Sequence, residues 1–131
     1  MSDGIAELVE DELRADGVDV RRAIASGQLQ RLAQGRTPDE GIASFERAFS
    51  ATIRRGSVAI RVLGEAVENR QSMGTWADHL AFEDRLTALV RRYPVVILCQ
   101  YDARRLDGVE LVAVLKAHGD NFEQPLGMFL N

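Results

Sequence analysis

The fold turns on the stretch Pro94-Val-Val-Ile-Leu-Cys-Gln-Tyr-Asp102. Its centre, Val95-Val-Ile-Leu-Cys99, is a continuous apolar run opened by a proline and rich in β-branched residues. A run of that length and kind is the pattern of a strand buried in a parallel sheet. Toward the N-terminus, Thr75-x-x-Asp78 is a capping box that opens a helix running to about residue 92. Before it, Ser57-Val-Ala-Ile-Arg-Val-Leu63 reads as a second strand, covered on both faces and ending at Gly64. Thr37-Pro-Asp-Glu40 supplies a cap, a proline at the first helical position and a glutamate three residues after the cap. It opens a helix whose apolar face is Ile42, Phe45, Phe49 and Ile53, stopping near Gly56. Gln28-Leu-Gln-Arg-Leu32 alternates and predicts a short strand, and Ile5, Leu8, Val9 and Leu13 predict a helix over residues 3–15. Toward the C-terminus, Asp107-x-x-Glu110 starts a helix carrying Val109, Leu111, Val112 and Leu115, and Gly127-Met-Phe-Leu130 reads as a last strand. Helix and strand thus alternate four times. That order predicts an α/β fold, three-layered, with a mostly parallel sheet and helices on both faces.

The chain has 131 residues, 46% of them hydrophobic and 27% charged, with a formal charge of −4. This bounds it to one domain, residues 1–131, with a core of its own and no composition break to mark a linker. Collagen-like, disordered and disulfide-scaffold classes are excluded. The single cysteine, Cys99, points to a reducing compartment, no stretch is long and apolar enough for a membrane helix, and the start is no signal peptide. A cytoplasmic location is therefore expected. Mild acidity argues against nucleic acid as a direct partner. The basic residues are fifteen arginines and one lysine, Lys116, a bias that reads as a GC-rich coding genome or as selection for forked guanidinium contacts to carboxylates or phosphates. No phosphate loop, dinucleotide fingerprint, paired CxxC, HExxH or GxSxG is present, so the expectation is a non-catalytic chain without a cofactor.

In open parallel sheets ligands lie beyond the carboxyl ends of the strands. That directs attention to Gly64-Glu-Ala66 and to Gln100-Tyr-Asp-Ala-Arg-Arg105. Glu65 could orient a ligand, bind a metal or act as a base, or could form a salt bridge with Arg104 or Arg105. Cys99 is a pocket-lining residue or an inert small hydrophobe; activation as a nucleophile would need His118. Tyr101, Asp102 and Arg105 suit a polar or anionic ligand, or form a loop in which Asp102 caps backbone amides and pairs with an arginine. His79 and Glu83, four apart on one helix, both fall in its apolar sector, which is unusual for a glutamate. They read as a buried ion pair, a partner-facing groove or two ligands of a metal.

These residues also carry a family resemblance. Val62-Leu-Gly-Glu65, Leu80-x-x-Glu83-x-x-Leu86, Pro94 through Asp102 with Arg105, and Leu115-x-x-His118 resemble the MEDS domain, a sensory domain shared by methanogens and methylotrophs. Gly17-Val-Asp-Val20 and Ser26-Gly-Gln-Leu29 fit its earlier portion, so the resemblance covers nearly the whole chain. It implies a ligand-sensing input module with a fold related to the RecA/KaiC-like ATPases, sensing small hydrocarbon derivatives in transcription regulators, sensor kinases and sigma-factor regulators. The motif positions it carries over are Glu65, Glu83, Cys99, Tyr101, Asp102, Arg105 and His118. Two departures stand out: Gly119 follows the histidine where the family has proline, and the family's additional first strand and loop are missing, so the chain reads as N-terminally truncated.

The expectation is a sensory domain that binds a small organic ligand through Glu65, Cys99, Tyr101, Asp102, Arg105 and His118. His79 and Glu83 are expected to be buried or partner-facing, with no metal. Such a domain would regulate transcription or a protein signalling partner and would form a homo-oligomer through its unfinished sheet. The alternative is a ligand-free protein-interaction module in sigma-factor or kinase partner switching.

Overall fold

A computed structural model describes residues 3–32, 35–66 and 73–118. The chain divides into two compact units, Met1–Tyr101 and Asp102–Asn131, which are described separately. The first unit holds helix α1 (Asp3–Ala15), helix α2 (Val20–Ala25), helix α3 (Pro38–Arg54), strand β1 (Ile60–Glu65), helix α4 (Trp76–Val90) and strand β2 (Val95–Gln100). The second holds a 3₁₀ turn (Ala103–Arg105) and helix α5 (Gly108–Ala117). The architecture is mixed α/β around a parallel pair, β1 against β2.

Local chemistry sets most of these boundaries. Thr37 caps α3 by accepting from the Glu40 N–H at 3.2 Å, while the Glu40 carboxylate accepts from the Arg36 N–H instead of closing a reciprocal box. Thr75 caps α4 by accepting from the Asp78 N–H at 3.0 Å. Asp107 and Glu110 form the one reciprocal box of the three. α2 has no counterpart in the periodicity reading, because six residues are too few to show a repeat; Asp19 caps it by accepting from the Arg22 N–H.

Residues 28–32 do not form the expected strand. Their polar groups are held elsewhere. The Leu29 N–H donates to the Ala23 carbonyl, the Gln30 amide to the Gly27 carbonyl, and Arg31 to Glu10 at 2.8 Å. Alternation gave a strand pattern, but turn and ion-pair contacts claim the segment. β1 starts three residues later than its apolar run and continues through Gly64 to Glu65. The strand expected at residues 127–130 lies outside the described residues.

The core lies on one face of the β1–β2 pair. The register pairs Ile60 with Val95 and Val62 with Ile97. These four pack with Phe49, Phe82, Leu86 and Leu89 from α3 and α4. On the opposite face, Val96 and Leu98 are 69% and 51% exposed, so burial along β2 alternates although its sequence is continuously apolar. Within the core Phe45, Phe49, Phe82 and Tyr93 form a chain of ring contacts with centroids 5.6–6.0 Å apart, and the Tyr93 hydroxyl meets Ser50 Oγ at 2.9 Å.

α4 approaches α3 closely at one glycine. A Cβ on Gly41 would lie 2.8 Å from a ring carbon of Phe82 and 3.1 Å from the terminal methyl of Met73. Alanine in mid-helix is worth up to about 1 kcal/mol more than glycine, whereas overpacking a tight core costs roughly 1–3 kcal/mol. Gly41→Ala should therefore destabilise despite its better helix propensity. A melting temperature lowered by several degrees is expected, and an unchanged or raised one would show that the α3–α4 contact is looser than described.

Candidate functional site

Beyond the carboxyl end of β2 the side chains change character. Cys99 continues the core-facing parity of Val95 and Ile97 and so turns toward α4, and Tyr101 follows two residues later. α4 answers with His79 and Glu83, one turn apart, on the same stripe as Phe82, Leu86 and Leu89. His79 is fully buried and Glu83 nearly so.

Four side chains meet there. The Tyr101 hydroxyl lies 2.9 Å from His79 Nε2. Glu83 Oε1 lies 3.6 Å from the same nitrogen, and the Cys99 thiol donates to Glu83 Oε2 at 3.8 Å. The His79 ring is stacked on Trp76, centroids 5.4 Å apart, and meets Tyr101 edge-on. Burial pushes the Tyr101 phenol well above its ordinary range, and the carboxylates of Glu83 and Glu65 push it in the same direction. The raised phenol holds its proton and serves as a hydrogen-bonding hydroxyl. Glu65, buried at the end of β1, is paired in register with Gln100.

These contacts suit hydrogen bonding and proton sharing, and one partner of Cys99 is a carboxylate. Sequence reasoning singled out His79, Glu83, Cys99, Tyr101 and Glu65, but not Trp76, whose i,i+3 spacing from His79 was the available signal.

The remaining expected site residues belong to the second unit. Asp102 caps the 3₁₀ turn, with Oδ1 accepting from the Arg104 N–H at 3.1 Å. The same carboxylate takes the Arg104 guanidinium in a two-pronged contact at 2.9 and 2.8 Å. This is the capped and arginine-paired arrangement, with Arg104 rather than Arg105 as the partner. Arg105 is exposed. His118 ends α5, its Nδ1 lying 2.9 Å from the Val114 carbonyl oxygen.

The hydrogen bonds from Arg104, reinforced by its charge, hold the Asp102 carboxyl at about 2, below its ordinary 3.8. A lowered carboxyl stabilises the folded state above the unfolded value, and that contribution is lost as pH falls through about 2. Arg104→Gln should return Asp102 toward 3.8 in a carboxyl-carbon NMR titration, an upward shift of more than one unit. An unmoved titration would show that backbone capping alone sets the value.

Comparison with known proteins fits these features. A model of the methanogen/methylotroph, DcmR sensory domain (MEDS) matches residues 1–119. The transcriptional repressor DcmR of Methylorubrum extorquens is 32% identical over 111 residues, a match covering 82% of this chain and 41% of the repressor. The chain thus spans less than half the length of that relative. No solved structure matches. On the extent of the family match, which takes in every described element from α1 to α5, the chain belongs to the MEDS family of sensory domains.

Proposed function

We propose that this chain is the input module of a cytoplasmic transcription regulator, that it binds a small organic molecule, and that it catalyses no reaction. The observation that carries the reading is the buried cluster of His79, Glu83, Cys99 and Tyr101 at the carboxyl end of β2, in a chain of a sensory family. A polar network at a strand's carboxyl end, where open parallel sheets take their ligands, offers side-chain groups that a small molecule can engage. In this reading Tyr101 offers the ligand a hydroxyl, Cys99 and Trp76 offer apolar and aromatic surface, and Glu65 bounds the site; the further candidates Asp102, Arg105 and His118 belong to the second unit. The sheet belongs to a three-layer, RecA/KaiC-like arrangement, and the active form is a homo-oligomer. The signal requires that ligand favour one of two arrangements. α4, which carries both His79 and Glu83, is the element whose position would report occupancy.

A second reading has one observation in its favour. On α5, Val109, Val112 and Leu115 lie three residues apart and are 81%, 50% and 45% exposed, a stripe suited to a protein partner. In that reading the module switches partners without a ligand.

The two separate in a thermal-shift screen against short-chain alcohols, amides and halides. At a hundredfold excess over Kd, a ligand specific for the folded state adds about 2.7 kcal/mol. A concentration-dependent rise is expected for the intact chain, and its loss is expected in Tyr101→Phe and Glu83→Gln. Each variant should by itself cost roughly 1–3 kcal/mol of stability, since it strips a partner from a buried polar group. A rise of equal size in both variants would remove the cluster as the site. No rise with any compound, together with one-to-one capture of a protein partner that Val112→Asp abolishes, would favour the partner-switching reading.

A further inference from the structure

A groove runs along the outer edge of β1, and it is a different place from the polar cluster. Its volume is about 870 Å³, and every residue from Ser57 to Glu65 lines it in unbroken succession. Side chains on a strand alternate between faces, so consecutive residues can border one cavity only through the strand's edge. The hydrogen-bond pattern identifies which backbone groups stand on that edge. The Ile60 N–H donates to the Pro94 carbonyl at 2.9 Å, and Ile60 pairs in register with Val95. By the alternation of a parallel ladder, Ile60, Val62 and Gly64 direct their backbone toward β2, and Arg61 and Leu63 direct theirs away from it, into the groove. Among the described residues no third strand pairs with β1. The floor is Phe45, Phe49, Phe82 and Met73; the far wall is α1 and the segment holding Leu29 and Leu32.

We infer that this groove is a strand-acceptor site, which takes one extended peptide segment as a third strand beside β1. Two observations favour that occupant. Backbone donors and acceptors repeating at every second residue match a peptide and no small organic molecule. The edge is walled by α1 and residues 28–32, which suits a lone segment better than the broad edge of a second folded copy. Charge sets the side-chain pattern of the guest. Glu10 and Arg31 on the wall neutralise each other at 2.8 Å, so the inward guest residues are apolar and uncharged. The exposed Arg61 stands on the other face, where an acidic residue of the guest would lie across from it.

This inference does not depend on the small-molecule reading, and its test is separate. The acetylated heptapeptide VEVTVEV, with its amide C-terminus, serves as probe, and VEVPVEV as its control. Amide hydrogen exchange of the full chain reads the result residue by residue. Without peptide, the Arg61 and Leu63 amides exchange fast and those of Val62 and Gly64 slowly. Saturating VEVTVEV slows Arg61 and Leu63 at least tenfold, leaves Val62 and Gly64 as they were, and VEVPVEV has a much weaker effect. Leu63→Pro removes one edge donor without touching the ladder to β2, so it abolishes peptide binding at little cost in melting temperature. Three results would overturn the inference. One is exchange at Arg61 and Leu63 that no excess of peptide alters. Another is protection that appears without peptide and grows with protein concentration, which would make a second copy the occupant. The third is equal protection by short-chain alcohols or halides, which would make the groove a small-molecule pocket.

Discussion

The close approach of α4 to α3 at Gly41 is the contact on which the rest of the first unit depends. Phe82 lies over the glycine with no room for a Cβ, and its ring joins Phe45 in the aromatic chain that continues through Phe49 to Tyr93. Dispersion among closely packed rings is lost steeply with sub-ångström separation, so this contact fixes both the rotation and the height of α4. His79 and Glu83 flank Phe82 on that helix, one three residues before it and one immediately after. Both lie on the buried side of α4 with Phe82, Leu86 and Leu89, and their pairing with each other, Tyr101 and Cys99 makes that burial tolerable.

Much of this was legible in the sequence where the cause is local. Helix starts at Thr37, Thr75 and Asp107 follow from side chains that cap amides three residues on, an interaction that needs no tertiary context. The apolar run at residues 95–99 marked β2, and the spacing of His79 and Glu83 placed both on the core stripe of α4. What failed to appear was set by distant partners. Residues 28–32 carry a strand's alternation, yet Glu10, some twenty residues earlier, binds Arg31 and holds the segment as a wall. The contact between Tyr101 and His79 spans 22 residues and joins a strand end to a helix, and no periodicity connects such positions. Continuous apolarity in β2 likewise says nothing about which face a helix reaches. Val96 and Leu98 are as hydrophobic as Val95 and Ile97, and only the packing of α3 and α4 separates them.

The two proposed sites of the first unit would differ in what they discriminate. The cluster at the end of β2 presents side-chain groups in a largely buried place, where one misplaced hydrogen bond is expensive. Such a place would distinguish small molecules by the position of a single polar atom. The edge of β1 presents backbone groups at a fixed repeat over an aromatic floor, and it is indifferent to most side chains beyond their alternation. That edge distinguishes extended chains from everything else and discriminates poorly among them.

The two proposed sites share β1 and α4. Phe82 and Met73 belong both to the groove floor and to the buried core, and Phe82 sits between His79 and Glu83 on α4. A guest strand pressing its apolar side chains onto Phe82 would resist any rotation of α4, and a ligand drawing His79 and Glu83 toward Tyr101 would favour one rotation over another. Coupling would require each guest to favour one position of α4 over another, and thermodynamic linkage would then make it reciprocal.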